Sequence, residues 1–155
     1  IPGDIDYRPL FDYRPMLIMP PGHPLAALAA PTLADIAAYG LVLPPRHLNT
    51  WRIVEVVFQE HGVRYEVMLE AGGWEVIKEY VQAGLGISIV TSICLRGDEP
   101  LTAVPLDRYF PRRSYGLILQ RGRTLSPAAR RFVEILARHR TLEAPAGPAD
   151  IAASP

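Results

Sequence analysis

The segment that decides the fold is VIKEYVQAGLGISIVTS, residues 76–92. It opens with a helical pattern of apolar side chains, passes through Gly84 and Gly86, and ends in an apolar run typical of a buried strand. A dinucleotide fingerprint places its glycines after a strand and at the start of a helix, where free N–H groups meet the pyrophosphate. Here the order is reversed and the third glycine is missing. We therefore predict a helix C-cap at Gly84 and a close approach of two backbone segments at Gly86.

Strand and helix patterns alternate in the sequence around this segment. Five elements follow one another, predicted as strand 41–45, helix 49–62, strand 65–69, helix 72–84 and strand 87–95. This alternation is typical of an α/β protein with a parallel sheet and right-handed crossovers. The helix at 49–62 has Asn49 or Thr50 as its predicted cap.

The flanking sequence adds the remaining elements. They are predicted as an extended path at 6–15, strands at 16–20, 101–106 and 115–120, and helices at 32–40 and 126–139. Thr32 and Asp35 at the first of these helices come close to a capping box. Ser126 and Pro127 open the last helix, whose predicted apolar stripe ends at His139. Residues 141–155 are rich in proline and small side chains, so a poorly ordered tail is predicted there.

Composition limits the classes of function. The chain has 155 residues, and its 16 Lys and Arg balance its 16 Asp and Glu, so nothing global attracts it to nucleic acid. A buried thiol is expected at Cys94, and no apolar run is long enough to span a membrane. The first residue, Ile1, is not methionine, which indicates a fragment. We expect a cytoplasmic protein.

The predicted ligand site lies at the carboxyl ends of the strands, where helices begin. In this sequence those places are 44–50 and 71–74, together with the end of the strand at 87–95. The candidate effector-binding residues are Arg46, Asn49, Thr50, Gly72, Gly73, Trp74 and Thr91.

Each candidate also has a purely structural interpretation. Arg46 can pair with a carboxylate, sulfate or phosphate, or it can be a solvated loop arginine. Helix capping alone can account for the two residues at 49–50. The glycine pair at 72–73 can bind an anion with its amides or form only a tight turn. Trp74 can line a ligand or belong to the core, and Thr91 can offer a hydroxyl to the cleft.

Catalytic and metal-binding patterns are absent from the sequence. The four histidines have no metal-ligand spacing and no cysteine partners, and no acidic pair or nucleophile elbow stands out. No catalytic residue, metal or cofactor is therefore predicted. The pair Arg112-Arg113 is interpreted as a solvated surface loop, with contact to another subunit as the alternative.

Four segments, in this order, resemble the effector-binding domain of LysR-type transcriptional regulators. They are MPPGHPLA (19–26), LADIAAYGLVLP (33–44), VIKEYVQAGLGISIVTS (76–92) and LSPAARRFVEIL (125–136). Within the family the third segment is most similar to the branch of cysteine-regulon activators. That branch has small hydroxylated residues in the loop where this sequence has LPPRHLNTW (43–51).

The resemblance implies a type 2 periplasmic-binding-protein-like fold, with two Rossmann-like lobes and an effector cleft between them. Lobe II would be complete and lobe I partial. The implied divisions are the end of lobe I and a crossover strand at 1–21, lobe II at 22–98, a return into lobe I at 99–140, and a flexible tail at 141–155. The N-terminal winged helix-turn-helix of the family, through which it contacts promoter DNA, would precede Ile1. The family also implies a homo-oligomer, either a dimer or a tetramer.

Three functions remain open from the sequence. The first is a sensor that binds a small anionic metabolite between the lobes and so controls transcription. The second is a solute-binding protein of a transport system, which has the same fold. The third is an α/β enzyme, for which a catalytic constellation is lacking. The sequence upstream would separate the first two, since a helix-turn-helix indicates a regulator and a signal peptide a transport protein.

Overall fold

The chain passes twice between two units in the computed structural model, which describes residues 4–139. Residues 13–113 form one unit, called here the central unit. The described residues before and after it, 4–12 and 114–139, form the terminal unit. The predicted tail at 141–155 and the side chain of His139 lie outside the described residues.

Seven strands and four α-helices make up the described chain. The strands are β1 (Ile5–Tyr13), β2 (Pro15–Met19), β3 (Leu41–Leu43), β4 (Val67–Glu70), β5 (Ser88–Thr91), β6 (Thr102–Pro105) and β7 (Arg113–Gln120). The helices are α1 (Leu33–Ala37), α2 (Asn49–Glu60), α3 (Trp74–Gln82) and α4 (Pro127–His139). Short 3-10 turns occur at Pro24–Ala27 and Ser92–Cys94.

The sheet of the central unit is mixed. β3 pairs with β4 in parallel, and a parallel bridge from Leu41 to Ile87 joins β3 to the segment that enters β5. β2 lies between β5 and β6 and runs antiparallel to both. The parallel arrangement predicted for 41–95 is therefore confirmed, while β2 adds antiparallel neighbours that the alternation pattern alone did not indicate.

The two glycines of the opening segment have the roles predicted for them. Gly84 follows α3 with a positive φ of 78°, and its N–H donates to the carbonyl of Val81 at 3.0 Å, as in a helix C-cap. A Cβ built on Gly86 would lie 2.6 Å from the carbonyl oxygen of Gly40. That carbonyl accepts the N–H of Ile87 at 3.1 Å, so the absence of a side chain at Gly86 lets β3 and β5 come together.

Helix α2 has its buried face where the pattern predicted it and begins differently. The helical pattern at 49–62 predicts that Val54, Val57, Phe58 and His61 share one face. The first three are buried, whereas His61 is exposed. The prediction that Asn49 or Thr50 caps this helix is wrong. The N-cap is Leu48, and no side chain in the described part of the chain caps the helix, because the turn starts one residue earlier than the polar pair.

The capping predictions for the other two helices are confirmed. Thr32 accepts a hydrogen bond from the N–H of Asp35 at 3.2 Å, and the Asp35 carboxylate accepts the N–H of Thr32 at 2.8 Å. At α4, Ser126 Oγ accepts the N–H of Ala129 at 3.2 Å. Each polar residue stands next to the first apolar residue of its helix, so the chain order alone places the cap.

The strand predicted at 87–95 is shorter than its apolar run. β5 ends at Thr91, and the chain then turns through Ser92–Cys94. The regular pairing with β2 ends at Ser92. Its N–H still donates to the Arg14 carbonyl at 2.8 Å, but the Arg14 N–H donates to Ser92 Oγ at 3.0 Å, while the Ser92 carbonyl accepts the N–H of Leu95 at 3.1 Å. The buried thiol predicted at Cys94 is confirmed, and burial raises its pKa.

The buried apolar side chains of residues 4–139 all belong to the central unit. In the terminal unit β1 pairs with β7. The apolar stripe predicted for α4 consists of Phe132, Ile135, Leu136 and His139, and its Phe132 and Ile135 are 59% and 42% exposed to solvent. Among the described helices none is long and apolar enough to cross a membrane.

Candidate functional site

Two neighbouring strands deliver their following loops to the same edge of the central sheet. β3 ends at Leu43 and β4 at Glu70, and the N–H of Ala71 donates to the carbonyl of Leu43 at 3.0 Å. The loops 44–48 and 71–73 therefore leave the sheet side by side. This is the carboxyl edge at which the sequence predicted a ligand site.

Arg46 connects the first loop to the end of β4. Its Nε donates to Glu70 Oε1 at 3.2 Å, and its guanidinium lies 4.9 Å from the centre of the Trp51 ring. The side chain of Arg46 is 74% exposed, so its pairing with Glu70 is weak and open to exchange. An anion at this edge would compete with Glu70 for the same donor.

The start of α2 forms one wall of a cleft of about 380 Å³. Its lining residues are Arg46, His47, Leu48, Asn49, Arg52 and Glu55. No described side chain caps this helix, and its first turn contains no acidic residue. The N–H groups and the positive end of the helix dipole at Asn49 are therefore available to a negatively charged group.

The start of α3 lies beyond the second loop. Gly73 is its N-cap with a positive φ of 91°, a conformation that favours glycine. A Cβ built on Gly72 or on Gly73 would meet no atom within 4 Å. Steric crowding therefore does not explain why both positions are glycine. Trp74 is half-buried and packs on the core cluster that contains Ile77, which supports the core interpretation of this side chain.

The end of β5 is the third strand end that contributes a candidate residue. Thr91 is 9% exposed, and its Oγ1 lies 3.6 Å from Cys94 Sγ. Thr91 and Thr50 line one narrow groove of about 20 Å³, together with Arg113 and an apolar floor. The structure thus brings Thr50 and Thr91 together, and separately Arg46 and Asn49. Gly72, Gly73 and Trp74 follow the neighbouring strand end.

Four polar or charged residues that line these spaces were not among the sequence candidates: His47, Arg52, Glu55 and Arg113. Arg52 could have been found, since it lies three residues after Asn49 on the same helix and so shares its face. Arg113 was interpreted as part of a solvated loop, and only the fold brings it beside Thr50. Within residues 4–139 no group of His, Cys, Asp and Glu side chains could hold a metal ion.

The mixed sheet and its helices define an α/β domain, and comparison identifies the family. Residues 2–141 match the family model described as LysR substrate binding domain. The chain belongs to this family, as the four segments of the sequence indicated.

The relatives are transcriptional regulators. The chain is 28% identical over 138 residues to the HTH-type transcriptional regulator SsuR of Burkholderia cenocepacia. This alignment covers 88% of the chain and 45% of SsuR. It is 32% identical over 136 residues to the RuBisCO operon transcriptional regulator of Allochromatium vinosum, covering 86% of this chain and 45% of that regulator. The chain therefore spans less than half the length of either protein. The similar regulators CysB and Cbl, with SsuR, confirm the predicted likeness to the cysteine-regulon branch.

The fold agrees with solved domains of this family. The regulatory domain of CcmR from Synechocystis PCC6803, in complex with 2-PG, superposes with a TM-score of 0.75 at 24% identity, covering 88% of this chain and 67% of that one. The fold is thus the predicted type 2 periplasmic-binding-protein-like fold of LysR effector-binding domains. The lobe boundaries at 22–98 and 99–140 stay predictions.

Proposed function

We propose that this chain is the effector-sensing part of a LysR-type transcriptional regulator and that it binds a small anionic metabolite at the carboxyl edge of the central sheet. The observation that carries the proposal is the cleft beside α2, which is lined by Arg46, Arg52 and an uncapped helix start, against the single carboxylate of Glu55. A guanidinium and free helix N–H groups are the donors that carboxylates, sulfates and phosphates accept best.

Ligands of similar proteins support a small-molecule effector. CcmR is described in complex with 2-PG, and the effector-binding domain of QuiR in complex with shikimate. We propose that residues 22–98 form the lobe that contributes Arg46, Asn49, Thr50, the 72–74 turn and Thr91. Binding would then favour one arrangement of the lobes. The difference in the ligand's affinity for the two arrangements sets how far it can shift the equilibrium between them.

The remaining partners belong to the longer regulator. We propose a cytoplasmic homo-oligomer, dimeric or tetrameric, that contacts promoter DNA through a winged helix-turn-helix outside this chain. The neutral net charge of the chain agrees with a part that does not itself bind DNA.

The test is a thermal-unfolding and calorimetric titration of this chain with inorganic sulfate, inorganic phosphate, 2-PG and shikimate. A ligand at a hundred times its Kd should add about 2.7 kcal/mol to the stability, a shift that is easily measured. Arg46→Ala should weaken binding roughly tenfold or more, since a hydrogen bond to a charged group contributes about 1.5 to 3 kcal/mol. Arg64→Ala, which removes an exposed arginine away from the edge, is the matched control.

Two outcomes would change the proposal in different ways. If the folded chain binds none of these probes, the anionic-effector proposal fails. If one binds and Arg46→Ala has no more effect than Arg64→Ala, the sensing function stands and the site has been placed wrongly.

A further inference from the structure

Both connections between the two units are tied to one carboxylate. The chain passes from one unit to the other between residues 12 and 13 and again between 113 and 114. Close to the first passage, Arg14 Nε donates to Asp107 Oδ2 at 2.8 Å, and a second guanidinium nitrogen of Arg14 bonds to the same oxygen. Close to the second passage, Arg112 Nε donates to Asp107 Oδ1 at 2.8 Å. Two segments far apart in the chain therefore share a single acceptor.

Arg14 also reaches the candidate ligand edge. Its backbone exchanges two hydrogen bonds with Ser92, one at 2.8 Å to the Arg14 carbonyl and one at 3.0 Å from the Arg14 N–H to Ser92 Oγ. Ser92 directly follows Thr91, the last residue of β5. On the other side, the N–H of Leu106 donates to the carbonyl of Pro15 at 2.9 Å. A continuous set of hydrogen bonds thus joins the end of β5 to both passages.

Partial burial strengthens the ion pairs that Asp107 forms with Arg14 and Arg112, compared with an ordinary surface pair. The side chains of Arg14 and Asp107 are 34% and 27% exposed, so water screens their attraction only in part. The hydrogen bond from Arg14 lowers the pKa of Asp107, and the bond from Arg112 adds to this, so the carboxylate is charged at neutral pH. Arg112, at 59% exposed, contributes less than Arg14.

We propose that Asp107 is a positioning residue that holds both passages and the end of β5 as one rigid body. A ligand at the Thr91 end of the edge then acts on both passages together, through Ser92 and Arg14. That part of the inference rests on the proposed function. The bonds of Asp107 to Arg14 and Arg112, called here the clamp, are present in the unliganded chain and can be tested without an effector.

The test is amide hydrogen exchange, followed by NMR on this chain without ligand, in the native protein and in Asp107→Asn. The variant keeps the shape of the side chain and removes its charge. We expect the amides of Ser92 and Leu106 to exchange at least tenfold faster. The amide of Val42, which donates to the carbonyl of Ile87 at 2.8 Å away from the clamp, should keep its rate. Glu134→Gln, which breaks an exposed pair with Arg131, is the control and should leave all three rates unchanged.

Selective exchange separates a clamp from a merely stabilising ion pair. If the three amides accelerate together in Asp107→Asn, the residue contributes only to global stability and the proposal is overturned. Unchanged rates at Ser92 and Leu106 overturn it as well. If that variant is too unstable to measure, Arg14→Lys, which keeps the charge and loses the forked geometry, must give the same selective acceleration. An unselective result in Arg14→Lys also refutes the clamp.

Discussion

Helices α2 and α4 have similar lengths and similar amphipathic patterns, and their apolar faces have opposite environments. α2 has 12 residues, and its Trp51 and Phe58 are 4% and 0% exposed. α4 has 13 residues, and its Phe132 and Ile135 are 59% and 42% exposed. Periodicity therefore fixes which face of a helix is apolar, whereas the burial of that face depends on which other segments pack against it.

The largest expected effect is a difference between two phenylalanines. Phe58→Ala should lower the free energy of unfolding by about 3 to 5 kcal/mol, because it leaves a cavity in a closely packed core. Phe132→Ala should change it by no more than about 0.5 kcal/mol, as is usual for an exposed position. Urea unfolding of both variants measures the difference. An equal loss in the two would mean that the α4 face is buried in solution and that the contrast between the helices is wrong.

The second contrast concerns ion pairs. Lys78, in α3, is 2% exposed, and its Nζ lies 2.7 Å from Glu99 Oε1 and 3.0 Å from Glu75 Oε1. Lys78→Met should cost about 3 kcal/mol, because it leaves the buried carboxylate of Glu99 without its cation. Arg131→Ala breaks a pair in α4 whose side chains are 62% and 56% exposed, and it should cost at most about 0.5 kcal/mol. The prediction fails if urea unfolding gives similar losses for both.

A third pair of variants tests whether the two units unfold separately. A Cβ at Gly86 would lie 2.6 Å from the Gly40 carbonyl, and one at Gly116 would lie 2.3 Å from the Arg8 carbonyl. Each change to alanine should cost about 1 to 3 kcal/mol, because the backbones must move apart. Hydrogen exchange should accelerate in the central unit for Gly86→Ala and in the terminal unit for Gly116→Ala. Acceleration in both units in either variant would show that they unfold together.

The last prediction concerns how the free energy of unfolding depends on pH. Burial alone would raise the pKa of Glu99, but hydrogen bonds from Lys78 and from the backbone of Arg96 and Gly97 outweigh it and lower the pKa to about 2 from 4.5. Because the folded pKa lies below the unfolded one, Glu99 contributes its full stabilisation above about pH 4.5. This contribution should decline as the pH falls towards 2.

Lys78→Met supplies the comparison for this pH dependence. Between pH 6 and pH 3 the free energy of unfolding should fall less in the variant than in the native chain, because the variant already lacks the ion pair. A loss of the same size in both would assign the pH dependence to other carboxylates.

Much of the central unit could be predicted from local rules. The reversed order of helix, glycines and strand excluded a nucleotide loop, and Gly84 and Gly86 have the predicted roles. The capping box at Thr32 follows from residues that are adjacent in the chain. The strand ends at 43 and 70 lie within a few residues of the predicted ones, because the apolar runs end there.

Features that depend on contacts between distant residues escaped prediction. Lys78 falls within an amphipathic helix, and no helical pattern indicates that a charge there is buried, since its partner Glu99 is 21 residues away. At Ser92 the side-chain oxygen accepts the N–H of Arg14, 78 residues earlier, and this contact ends the regular strand pairing. The pairing of Arg46 with Glu70 spans 24 residues.

Chain order and local periodicity were enough to predict the alternation of strands and helices, and four segments were enough to indicate the family. The edge at which a ligand would bind stays a prediction. Three features follow from tertiary contacts alone: Thr50 and Thr91 share a groove, α2 starts without a side-chain cap, and Asp107 bonds to arginines beside both passages of the chain. The physical reason is that a side chain's burial, charge partner and neighbours are set by segments far along the chain, whose approach no local pattern records.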